Sequence, residues 1–230
     1  MRELIDACSL CGYCDGICPK GVRNIEIVLH LRRELNGQVA PSKPATGAVV
    51  PGCTIRERAP HLVPSIVDFL KRIGRPTEIA DGCCGALDVE AGRATPARAK
   101  AGVVCDPVCF GQHDADYLGA LALARPEMFD FGTNFYYFAP HRLINGDHAR
   151  WYPVFDGLRR RTGCEMNLDM NRLARATSAG SINVRDLRAA VARLLKHSKA
   201  DRVITCSPAD YLAFREFSGR ETRYVTECLK

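Results

Sequence analysis

No stretch of the 230-residue chain approaches the roughly 18 uninterrupted apolar residues that span a bilayer, and its most apolar segments, such as 135–140, are short. The first residues, Met1 to Cys8, lack the basic segment, apolar run and small-residue cleavage site of a secretion signal. The expectation is a cytoplasmic protein, soluble or peripheral to the inner membrane through partners. Gly-x-Gly-x-x-Gly and phosphate-loop sequences are also lacking, which leaves any flavin or nicotinamide to another subunit. No base-readout or RNA-stacking motif accompanies the pI near 8.7, so nucleic acid is not expected as a partner. Hydrophobic residues at 47% and charged residues at 25% exclude disorder, collagen-like repeats and long coiled coils. The length suffices for one large domain or two small ones without disulfide staples. What the chain does have is twelve cysteines, clustered rather than spread, which points to metal or redox chemistry. The formal charge of +6 counts them as neutral, and metal-bound thiolates would lower it.

The first cluster reads Cys8-Ser-Leu-Cys11-Gly-Tyr-Cys14-Asp-Gly-Ile-Cys18-Pro19, the C-x2-C-x2-C-x3-C-P spacing of bacterial ferredoxins. Thiolates spaced by two residues can wrap one face of a 4Fe-4S cubane, with Gly12 and Gly16 freeing the loop to turn its sulfurs inward. A structural zinc would need only one close cysteine pair plus a distant one, and disulfides do not suit an unsignalled chain. Cys18 either completes this cluster or serves one that a partner completes. Beyond it, Ile27, Val28, Leu31 and Leu35 stand at helical spacing, so an amphipathic packing helix is expected, with His30 as a surface or core histidine. The breaker-rich segment 37–47 then marks a boundary, setting off residues 1–37.

From residue 48 short β-branched or aromatic runs alternate with helical stretches, the pattern of an α/β fold. Strands are expected at Val49-Val50, Thr77 to Ala80 and Val103-Val104, and helices over about 62–73 and near 92–101. Each strand runs into cysteines: Pro51-Gly52-Cys53, Gly82-Cys83-Cys84-Gly85 and Cys105-Asp-Pro-Val-Cys109. In open α/β sheets that edge is where ligands collect. Adjacent cysteines strain a mononuclear site but suit a polynuclear cluster, whose neighbouring thiolates can reach different metals. Zinc on four of these five cysteines, a redox-active dithiol and plain burial are the alternatives.

A similar layout returns from about residue 135. Val63-Pro-Ser-Ile-Val-Asp-Phe-Leu-Lys-Arg-Ile-Gly74 parallels Tyr152-Pro-Val-Phe-Asp-Gly-Leu-Arg-Arg-Arg-Thr-Gly163, and Val103-Val-Cys-Asp-Pro107 parallels Ile204-Thr-Cys-Ser-Pro208. These matches suggest an internal duplication, with repeats over 48–133 and 134–230.

Pro-Gly-Cys after a strand, Gly-Cys-Cys-Gly about thirty residues on and a later close cysteine pair resemble the cysteine-rich CCG domain in the B-type component of heterodisulfide reductase. Similar domains occur in the iron-sulfur subunits of glycolate oxidase and lactate-utilisation proteins. The N-terminal run with its trailing Lys-Gly-Val and helix resembles the ferredoxin-like part of the C-type component of heterodisulfide reductase, so the resemblance covers most of the chain. It implies a small α-helical cluster-binding segment followed by a duplicated α/β CCG domain. It implies a non-cubane 4Fe-4S cluster on Cys53, Cys83, Cys84, Cys105 and Cys109 that reduces or forms disulfides, with Cys83 and Cys84 at the chemistry. Partners would be other redox subunits, including a flavin or second ferredoxin-like subunit, and a disulfide substrate. The chain departs from the pattern in its second half. Ala139-Pro140-His141 stands where Pro-Cys-His is expected, Thr177-Ser-Ala-Gly-Ser181 where paired cysteines are, and only Cys206 matches. The second repeat is therefore expected to be structural and free of a cluster.

Cys164 and Cys228 stand outside any ligand spacing and read as packing residues. His113 and His141 read as histidines without a role, or as a ligand or a proton donor to a leaving thiolate. The arginine-rich stretch from 150 to 202 reads as a solvated face, or as a docking surface for an acidic redox partner.

Overall fold

The computed structural model describes residues 2–6, 8, 10, 14–15, 18–37, 47–94, 99–111, 113–168 and 184–230. It begins with helices α1 (Arg2–Asp6) and α2 (Asn24–Asn36). The chain then enters strand β1 (Gly47–Val50), helix α3 (Cys53–Arg58), helix α4 (Val63–Arg72) and helix α5 (Ala86–Glu90). Strand β2 (Ala99–Val104), helix α6 (Pro107–Phe110), strand β3 (His113–Tyr117) and helix α7 (Leu118–Leu123) follow. The second half runs through strand β4 (Phe135–Phe138), helix α8 (His141–Gly146), helix α9 (His148–Thr162) and strand β5 (Glu165–Met166). It ends with helix α10 (Val184–Leu195), strand β6 (Arg202–Thr205), helix α11 (Pro208–Phe217) and strand β7 (Glu221–Tyr224). Among the described residues no helix is long and apolar enough to cross a membrane.

Two parallel sheets result, in the order β1-β2-β3 and β5-β4-β6-β7. An isolated parallel bridge from Ile79 to Val49 extends the first sheet beyond β1. The Ile79 segment, β1, β2 and β3 thus lie in the same order as β5, β4, β6 and β7. Parallel strands need helical crossovers, which put helices on the faces and hide the strands. All four residues of β4 are accordingly buried.

Side chains alternate along these strands with period two. Val49, Val103, Phe135, Tyr137 and Ile204 join one apolar cluster with residues of α4, α7 and α9, and that cluster serves both sheets. Val50 and Val104 face a second cluster around Ala80 and Ala86. Tyr136, Phe138 and Val203 face a third, against Val191, Leu194 and Phe214.

Two hydrogen bonds cross between the sheets in reciprocal fashion. Tyr117, closing β3, donates its hydroxyl to the Cys206 carbonyl at 2.6 Å, and Tyr224, closing β7, donates to the Cys105 carbonyl at 3.0 Å. Each carbonyl belongs to the residue directly after a central strand, where the ladder has ended and a buried acceptor would otherwise be unpaired.

The N-terminal segment is tied down by Arg32, which is 6% exposed. Its guanidinium donates to the carbonyls of Ile5, Asp6 and Cys8, and to that of Glu90 at 2.7 Å. The Glu90 carboxylate in turn pairs with Arg142 of α8. Gly92 lets this contact form: its φ is +72°, and a Cβ there would lie 2.5 Å from the Arg32 backbone. The helix expected near 92–101 is therefore corrected. The helix lies earlier, at Ala86–Glu90, the left-handed Gly92 follows it, and β2 already begins at Ala99.

Tyr224→Phe leaves the Cys105 carbonyl buried without its donor, and a loss of about 1–2 kcal/mol in urea unfolding is expected. Tyr117→Phe should cost a similar amount through Cys206. A loss confined to one of the two would contradict their equivalent roles.

Candidate thiol site at the sheet edge

The three cysteine groups of the first half all leave the carboxyl edge of one parallel sheet. Val49 donates to the Glu78 carbonyl at 2.9 Å and accepts from Ala80 at 2.7 Å, which delivers the 81–85 loop beside the end of β1. After β1, Pro51 and Gly52 turn the chain into α3, with Cys53 as its first residue. After β2, Asp106 caps α6: its Oδ1 accepts from the Val108 amide at 2.9 Å, and Pro107 occupies the first helical position, where no amide is needed. One helical turn on, Cys109 carries its sulfur toward Gly52 and Cys84. Gly52 permits the approach, because at φ +87° a Cβ would come 2.8 Å from the Asp106 Cβ and 3.3 Å from the Cys109 Sγ.

Cys53, Cys83, Cys84 and Cys109 line one cavity of about 30 Å³ together with Thr54, Asp106 and apolar residues. The sulfurs stand in two pairs, Cys53 to Cys83 at 3.1 Å and Cys84 to Cys109 at 3.0 Å. Arg56 of α3 binds the Gly82 carbonyl and so holds the double-cysteine loop against the Cys53 helix. Cys105 stands apart. It continues the alternation of β2, so that Val103 and Cys105 face the core shared by the two sheets while Val104 faces the other way. Cys206 repeats this placement after β6.

Burial dominates the electrostatics. It pushes the Cys53 thiol up to about 12, with Cys83 adding to the shift. The hydrogen bond with Cys109 outweighs burial at Cys84 and brings it down to about 7. The same bond and burial raise Cys109, and burial raises Cys105 and Asp106. Cys84 is thus made easier to ionise, whereas Cys53 and Cys109 are made harder.

Of the N-terminal cysteines, Cys8 and Cys18 are half-buried, Cys14 is exposed, and Cys11 lies outside the described residues. Cys8 is fixed through its carbonyl by Arg32, and the Val22 amide donates to the Cys18 sulfur at 3.3 Å. Asp15 accepts from the Ile25 amide at the start of α2 and so anchors the loop to its helix. Among the described residues no three His, Cys, Asp or Glu side chains are gathered about one point to hold a single metal ion. Sulfurs sharing a tetrahedral zinc through bonds of about 2.3 Å stand roughly 3.8 Å apart, so a metal entering the cavity must part both pairs.

The edge of the second sheet carries different chemistry. His141, opening α8 after β4, is 3% exposed, both its ring nitrogens lack a partner among the described residues, and burial holds its pKa down at about 3. Asp210 in α11 is raised to about 7 by burial, against a hydrogen bond from Ser207. His141, Ser207 and Asp210 line a second small cavity, which shares Val108 and Ala209 with the thiol cavity. Asn167 clamps Ala139 through both its amide and its carbonyl, at 2.8 and 2.9 Å. Thr177 to Ser181 lie outside the described residues. His113 is buried and bonds the Cys109 carbonyl at 2.9 Å, and Cys164 and Cys228 are buried.

The sequence reasoning passed over Asp106, Thr54 and Asp210. Asp106 had a signal, an aspartate directly before a helix-opening proline, whereas Asp210 showed none because it occupies an ordinary helix position. No protein-family model matches the chain, and no curated protein matches its sequence.

Asp210 gives a pH dependence. Its folded pKa of about 7 lies above the ordinary 3.8, so the folded chain binds the proton more tightly. This contribution is complete below about pH 4 and is lost as pH rises through 7. Between pH 5 and 8 wild type should lose about 3 kcal/mol through this group. Asp210→Asn should flatten that slope in urea unfolding, and an unchanged slope would contradict the assignment.

Proposed function

We propose that the chain is an iron-sulfur redox subunit resembling heterodisulfide reductase. It would pass electrons from an N-terminal 4Fe-4S centre to a second centre at the sheet edge that reduces or forms a disulfide. The observation that carries this reading is the convergence of Cys53, Cys83, Cys84 and Cys109 on one cavity from three separate strand ends. The donor set fits the group in its chemistry: four thiols are what a thiolate-held cluster requires, and a cluster bound there would part the two pairs to bring each sulfur to a metal. A cluster bound there would supply electrons at a potential set by its ligands and surroundings. Cys8, Cys14 and Cys18, with Cys11, would hold the N-terminal centre.

The protein's own groups have definable parts. Arg32 joins the Cys8 carbonyl to that of Glu90, so Cys8 is docked on α5, the helix that follows Cys84 and Gly85. Electrons leaving one centre would find the other fixed rather than tethered. Asp106 and Thr54 place a hydrogen-bonded carboxyl and hydroxyl at the cavity, and burial favours the protonated carboxyl beside the thiols. The equal strand order of the two sheets and the reciprocal Tyr117 and Tyr224 bonds support a duplicated CCG-type unit. Electrons would arrive from other redox subunits, including one with flavin or a second ferredoxin-like segment.

A second reading is a non-catalytic electron-transfer or assembly subunit whose cleft holds a structural cluster or zinc. His141, buried and held neutral where the second unit would carry a cysteine, favours it.

Anaerobic protein, reduced and then titrated with small disulfides while electron paramagnetic resonance is recorded, separates the two. The redox reading expects a signal lost in Cys83→Ser to change with a disulfide while the signal lost in Cys14→Ser persists. No response to any disulfide, with the N-terminal centre still accepting electrons, would overturn it.

A further inference from the structure

The two thiol pairs of the cavity define a chemistry that needs no metal. We propose that in the metal-free chain Cys53 with Cys83, and Cys84 with Cys109, act as two dithiols that reduce low-molecular-weight disulfides and close into two cavity disulfides. The inference needs the cavity but not the cluster. Its consequence, that oxidation and metal loading exclude one another, rests on the reading of the cavity as a metal centre.

Both pairs are 3.0–3.1 Å apart, about 1 Å beyond a disulfide bond. The alternative bond between neighbours is disfavoured by geometry. Cys83 and Cys84 share a peptide, no peptide among the described residues is cis, and consecutive trans residues hold their Cα atoms about 3.8 Å apart. Disulfides span Cα separations of about 4.4–6.8 Å. Each neighbour is instead directed at a different element, Cys83 at the first residue of α3 and Cys84 at α6. The Arg56 contact to Gly82 fixes the first pairing, and the left-handed Gly85 turns the chain into α5 directly behind Cys84. Cys105, turned into the shared core, takes no part.

The reaction balances for each pair. One cysteine thiolate attacks the small disulfide RSSR, forming a mixed disulfide and releasing RS⁻, and the paired cysteine then displaces the second RS⁻. Two protons leave the protein thiols and end on two RSH. The protein loses two electrons per pair, and the two pairs together reduce two disulfide molecules.

The test uses the full chain, freed of metal, fully reduced, then treated with oxidised glutathione, alkylated and digested for peptide mapping. Cys83 and Cys84 fall in one tryptic peptide, and Cys105 and Cys109 in another, so single variants, with Cys105→Ser added to tell Cys105 from Cys109, assign the links. Cys83→Ser should keep the Cys84–Cys109 link and leave Cys53 as a glutathione adduct or a free thiol. Cys84→Ser should keep the Cys53–Cys83 link. A Cys83–Cys84 bond, links to Cys105, or lasting glutathione adducts on all four cavity cysteines of wild type would overturn the proposal. A parallel arm adds zinc before glutathione. Slowing of cavity oxidation by tenfold or more is expected, whereas correct pairings without protection would overturn the mutual exclusion and the metal reading while leaving the dithiol chemistry in place.

Discussion

Everything at the sheet edge depends on how the two central strands end. β2 and β6 are each followed directly by a buried cysteine whose carbonyl has left the ladder, and each carbonyl is taken by a tyrosine hydroxyl from the other sheet. Unpaired, those acceptors would carry a desolvation cost of about 1–3 kcal/mol apiece. Paired, they lock the two sheets together and fix where the chain turns. Only because the end of β2 is fixed does Asp106 cap α6 where Cys109 reaches Cys84, and only glycine at 52 leaves room for that approach.

A second constraint joins the modules. Arg32 gathers carbonyls from the N-terminal segment and from Glu90, and Glu90 extends the contact to Arg142 in the second half. A buried guanidinium with this many acceptors is costly to expose or to move, since each charge-assisted bond lost leaves a carbonyl unpaired. The contact fixes position: it holds the Cys8 backbone against α5, the helix that follows Cys84 and Gly85.

Much of this was legible in the sequence, for physical reasons that differ from residue to residue. The strands at 49–50 and 103–104, the helix after Leu62 and the cysteines beyond the strand ends follow from local patterning and glycine placement. The helix expected near 92–101 failed because Gly92 answers to the Arg32 backbone, about sixty residues earlier, a contact that no local window registers. Cys105 and Cys109 look alike as a spaced pair, yet the first obeys the alternation of a strand and the second the turn of a helix, so they face different interiors. The parallel between Cys105 and Cys206 was visible, but not its meaning. Both side chains are core, and the shared feature is the carbonyl each offers to a tyrosine.

The account stands most directly on the number of metal centres. Iron, zinc and acid-labile sulfide should be measured on protein purified without oxygen, in wild type and in Cys14→Ser and Cys83→Ser. The account predicts about eight irons per chain, as two 4Fe-4S centres require, with each variant losing about half of them. About four irons and one zinc, with Cys83→Ser losing only the zinc, would contradict it and leave a single electron-transfer centre beside a structural site.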